Sequence, residues 1–101
     1  TAANLNRWCR QLGQPPLTEE ELAALRRVTV LGQPSPMLTV GGDYQGMGGE
    51  TQSGALLAGV VCVLPGQVLF VKMIGPQAAA RAQLDNFVAF AESLQMRHSH
   101  E

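Results

Sequence analysis

The sequence predicts an α+β domain, an antiparallel four-stranded sheet packed between two short N-terminal helices and one long C-terminal helix. Three observations predict it. Apolar residues recur at helical spacing near both ends, at Leu5, Trp8, Cys9 and Leu12 and again at Ala80, Leu84, Phe87, Val88, Ala91 and Leu94. Between them lie four β-rich runs punctuated by turn formers. The two longest of these runs are apolar on both faces, as strands are when something covers each side of the sheet.

Taken in order, residues 3–12 form an amphipathic helix that stops at Gly13, and Pro15-Pro16 forbids its continuation. Thr18 followed by Glu21 is a capping box, with Leu17 and Leu22 as its hydrophobic staple, and together they specify a helix over 19–25. Residues 27–31 and 37–40 read as a hairpin whose turn is the intervening GQPSP. Residues 55–64 and 67–74 form a second hairpin, joined by Pro65-Gly66 as the central pair of a type II turn. In it Leu57, Val61 and Val63 share one face, and Leu56, Val60, Cys62 and Leu64 the other. Gly75 and Pro76 begin the last helix, which runs to about Leu94. Residues 1–94 thus make one domain, and QMRHSHE at 95–101 reads as a fraying polar tail.

The length of 101 residues suits a single core. Charged residues are 15% of the chain against roughly 25% in ordinary soluble domains, and 46% is hydrophobic. So little charge predicts that some surface meets another chain, a missing N-terminal segment or a second copy. The net charge of -1, the dispersed basic residues and the few aromatics argue against a nucleic-acid partner. Between Val28 and Val71 only Asp43 and Glu50 are charged, as befits sheet core. Cys9 and Cys62 permit one disulfide, but each falls on an apolar position and reads as a buried thiol. The run from 55 to 74 has the length of a membrane span, yet Pro65-Gly66 at its middle favours the hairpin. A chain opening at Thr1 without Met is expected to have lost something upstream.

NLNRWCRQLGQPPLTEEELAAL, the later GVVCVLPGQVLFVKMIGP and the closing helix ending FVAFAESL resemble a poorly characterised group of bacterial envelope proteins. Asn4, Arg7, Trp8, Gly13, Pro15, Pro16 and Leu17 carry the first pattern; Phe70, Lys72, Met73 and Gly75 carry the second. The resemblance spans residues 3–94 and implies an α/β/α sandwich similar to the photosystem accessory protein PsbP. It also implies an exported, often lipid-anchored protein of the periplasm or outer envelope, with no established reaction. Such proteins carry further strands before the first helix, so this chain resembles their C-terminal part.

Candidate sites are few. GGDYQGMGGE, residues 41–50, reads as a long glycine loop in which Asp43, Tyr44, Met47 and Glu50 would contact a partner. It lacks both the Gly-Lys-Ser/Thr ending of a phosphate loop and the alternating ligands of a calcium loop. Thr1 could serve as an N-terminal nucleophile activated by its own amine, a site that commonly needs a Lys nearby and for which Lys72 is the only Lys, but it reads equally as a helix cap. His98 and His100, with Glu101, have a spacing that can pinch a metal, though two ligands on a loose tail make a weak site. No cofactor is called for. The sequence therefore favours a non-enzymatic protein-interaction or accessory module, with an apolar-ligand binder, its pocket between the last helix and the sheet, and a Thr1 hydrolase as alternatives.

Overall fold

A computed structural model describes residues 2–45 and 51–94. Helices α1 (Ala2–Gln11) and α2 (Glu19–Ala23) precede strands β1 (Arg26–Val30), β2 (Gln33–Gln45), β3 (Thr51–Leu64) and β4 (Gln67–Pro76), and helices α3 (Gln77–Ala82) and α4 (Leu84–Glu92) follow. The strands form one antiparallel sheet in the order β1-β2-β3-β4. The α+β class and the four-stranded antiparallel sheet are those predicted.

Both N-terminal helices end where their signals lie. Gly13, at φ 72, lets the chain leave α1 through the left-handed region, and its amide returns to the Arg10 carbonyl at 3.0 Å. Asn6 holds the next segment by accepting from the Leu17 amide at 2.9 Å. The Thr18 side chain accepts from the Glu21 amide at 3.1 Å while Glu21 accepts from the Thr18 amide at 2.9 Å, completing the capping box.

The first hairpin departs from expectation. Its turn is Leu31-Gly32, both at positive φ (51 and 78), which is the twist-matched two-residue turn; GQPSP is not the turn, and β2 starts at Gln33. The two prolines are tolerated because of their phase. From the closing pair Val30↔Gln33, alternate residues Gln33, Ser35 and Met37 bond to β1, so Pro34 and Pro36 face the other side. On that side the ladder with β3 begins only at Met37↔Val60, and no donor is missed. A second correction concerns the glycine stretch. Gly41–Gln45 continues β2 and Thr51–Gly54 begins β3, around a bulge between Gly42 and Tyr44, so the first half of the stretch is paired strand and the rest of it lies outside the described residues.

β3 is an inner strand, buried without interruption from Ala55 to Cys62 on both faces. On one face Val28, Val30, Met37, Ala58, Val60, Cys62 and Val71 pack with Phe87, Val88 and Ala91 of α4. On the other, Leu38, Ala55, Leu57 and Val61 pack with Leu5, Trp8, Cys9 and Leu12 of α1 and its exit, flanked by Leu17 and Leu22. The hairpin reading of 55–74 therefore holds, and among the described residues no helix is long and apolar enough to cross a membrane. The single long C-terminal helix does not form. Gln83, at φ -102 and ψ 1, separates α3 from α4: its amide closes a tight i−3 turn onto the Ala80 carbonyl at 3.0 Å, and its own carbonyl accepts from the Phe87 amide at 2.8 Å to start α4. Leu84, Phe87, Val88 and Ala91 keep the apolar stripe against the sheet despite the break.

Candidate interaction surface

The ladder between β3 and β4 sets Gly59 opposite Lys72, Val61 opposite Phe70 and Val63 opposite Val68. All six project toward the α1 face. Gly59 has no side chain, and the Trp8 indole occupies the space: a Cβ there would collide with the ring's Cζ3, Cε3 and Cη2. Trp8 then meets Phe70 edge to face, with centroids 6.1 Å apart and planes at 72°. Lys72 Nζ lies 5.9 Å from the Trp8 ring centre and 5.8 Å from that of Tyr44, and donates to Gln11 Oε1 at 3.1 Å. Partial desolvation, and secondarily the like charge of Arg7, pushes the Lys72 pKa below its ordinary 10.5. Lys72 stands within β4 with its side chain exposed and its cation held over the two rings.

Toward the hairpin tip the cover runs out. Val63, Val68 and Phe70 are 51%, 44% and 44% exposed, an apolar patch beside Trp8 on the same face. It borders a sheet edge, because among the described residues β4 has β3 on one side and no strand on the other. From the closing pair Leu64↔Gln67, alternate residues Gln67, Leu69, Val71 and Met73 bond to β3. Val68, Phe70, Lys72 and Ile74 therefore turn their backbone groups outward.

The two cavities described lie on the α1 and α2 side, not between the last helix and the sheet. The larger, about 340 Å³, is lined by Gln14, Pro15, Pro16, Leu17 and Glu21 of the segment after α1, by Leu38 to Gly41 of β2, and by Cys9. Gln14 Nε2 spans it to the Gly41 carbonyl at 2.8 Å. A smaller one of about 190 Å³ lies among Ala2, Leu5, Leu22, Arg27 and Pro36. Cys9 and Cys62 are both free and buried, and they belong to the two opposite cores, so they do not meet. Burial, with the Glu21 charge adding to it, raises the Cys9 pKa above its ordinary 9.0.

Of the residues singled out in the sequence, Tyr44 and Lys72 come together over Trp8. Asp43 instead accepts from the Gly54 amide at 3.3 Å, tying the two strands across the bulge. Met47, Glu50, Thr1, His98 and His100 lie outside the described residues. Among the described residues no three metal-ligating side chains cluster. Phe70 and Val68 were missed because each reads as ordinary strand core. The available signal was Gly59, a glycine within a long apolar run, which marks a close approach by another group. Compared with protein-family models, curated proteins and solved structures, the chain finds no match.

Proposed function

We propose that the domain is a non-enzymatic protein-interaction or accessory module that works through the β4 edge. The observation that carries this reading is the apolar patch of Val63, Val68 and Phe70 beside a strand whose outward backbone groups have no partner strand among the described residues. Strand addition to such an edge supplies hydrogen bonds, and the neighbouring apolar side chains supply burial. The envelope setting and a PsbP-like α/β/α layering, both from the resemblance, belong to the same proposal; apolar cores on both faces of the sheet support the layering.

The test is a photo-crosslinking amino acid at Phe70 in the producing cells, with adducts identified by mass spectrometry. Protein adducts are expected at Phe70 and not at Phe90, which is more accessible at 58% but lies on α4, against the opposite face. No adduct, or equal labelling at both positions, rejects the reading. A second reading, capture of a small apolar ligand, has the cleft of about 340 Å³ behind it, within the size range of ligand pockets. A ligand retained in native mass spectra and displaced by Leu38→Trp would favour it.

A further inference from the structure

We propose that the partner of the β4 edge is a second copy of this chain, paired antiparallel through β4 about a two-fold axis at Val71. The proposal rests on the reading of that edge as the interaction surface and names its occupant. A two-fold contact must be self-complementary, because each residue meets the residue related to it by the same axis. β4 satisfies this in one register. With Val71 opposite Val71 of the other copy, Phe70 faces Lys72 and Val68 faces Ile74 on the α1 face, while Leu69 faces Met73 on the α4 face.

That register uses all the outward backbone groups. Val68, Phe70, Lys72 and Ile74 each meet another outward-facing residue, so every donor finds an acceptor and none is proline. Charge and turn chemistry reject the neighbouring registers. Centring on Lys72 would set two lysines directly opposite each other and Pro76, which has no N–H, opposite Val68. Centring on Phe70 would set Val68 against Lys72 and pair Ile74 with Gly66 of the turn.

Side chains agree with the backbone. In the chosen register the apolar stem of Lys72 stands beside the Phe70 ring of the other copy, while its cation stays over Trp8 and Tyr44. Lysine in an edge strand ordinarily guards against pairing by standing out over the edge. Here it is drawn inward over the sheet by Gln11 and the two rings, which leaves the edge approachable. Half-buried Leu69 and Met73, already against the α4 core, would close over each other and join the two cores across the axis.

Sedimentation of the full chain tests the proposal, with a dimer that dissociates on dilution as the expected result. Two substitutions test the register. Phe70→Lys sets like charges opposite Lys72 and should weaken association at least tenfold, whereas Phe70→Glu gains an ion pair there and should retain the dimer. Equal weakening by both overturns the register. Val71→Cys should form a covalent dimer on oxidation, since directly opposed non-hydrogen-bonded residues have Cα atoms about 4.5 Å apart, within disulfide reach. If that variant fails to fold, hydrogen exchange of the wild-type chain replaces it: the Phe70 and Lys72 amides should be protected in concentrated solution and lose protection on dilution. A monomer at every concentration that still gives Phe70 adducts with another protein overturns the second-copy proposal alone. A monomer without adducts overturns the interaction reading as well.

Discussion

A methyl group at position 59 would collide with the Trp8 indole, which rests directly on the β3 backbone. Overpacking of this kind costs roughly 1–3 kcal/mol, so Gly59→Ala is expected to lower the unfolding free energy by about that much in a denaturant titration. The penalty should shrink in a Trp8→Leu background, where the ring is gone; an equal penalty in both backgrounds would show that the indole is not the obstacle. Lys72 offers a second test at this scale, through pH. Its folded pKa is depressed below 10.5 by burial and by Arg7. The unfolded chain therefore binds the proton more tightly, and stability rises with pH across the window from the depressed value up to 10.5. Below that window the folded state carries the whole cost of the charge. Lys72→Met keeps the apolar stem and removes the titration. Its unfolding midpoint relative to wild type should be highest near neutral pH and fall as pH approaches 10.5, and a difference independent of pH would refute the assignment.

Helix α2 has five residues and none of them is buried, so its existence depends on its ends. Removing the capping hydroxyl by Thr18→Ala should cost about 1 kcal/mol, while Glu20→Ala, outside the box, should cost little; similar losses for both would show that the cap is not what holds the helix. That cap was legible in the sequence because capping is local chemistry among four residues. So were α1 with its Gly13 exit and the Pro65-Gly66 hairpin, each encoded by a period or a turn pair. What was not legible depends on phase and register. Pro34 and Pro36 look like strand breakers until the Leu31-Gly32 turn fixes which side of β2 they face. Gly41 and Gly42 look like loop until β3 pairs with them. The meeting of Trp8, Tyr44 and Lys72 follows from which strand residue lies opposite which, and a glycine is the sole trace of it along the chain. The break at Gln83 interrupts a helical stripe that the spacing alone carries through unbroken.

At the scale of the molecule, β3 belongs to both cores. Leu57 lies in the α1 core and Val60 in the α4 core, both fully buried and three residues apart in one strand. A strand cannot lose its register on one face and keep it on the other, since a slip moves every side chain. The two cores should therefore unfold together, in one transition. Each carries its own reporter: Trp8 fluorescence for the α1 core, and accessibility of the Cys62 thiol, in a Cys9→Ala background, for the α4 core. Coincident denaturation curves are expected. Leu57→Ala sharpens the test. Truncating a buried leucine costs about 2–5 kcal/mol, a large part of the roughly 5–15 kcal/mol that holds a domain of this size. Although the deletion touches only the α1 core, both curves should move to lower denaturant by the same amount. If Trp8 fluorescence shifted while Cys62 stayed protected, the helices would be independently docked on a sheet that stands without them, and the coupling through β3 would be wrong.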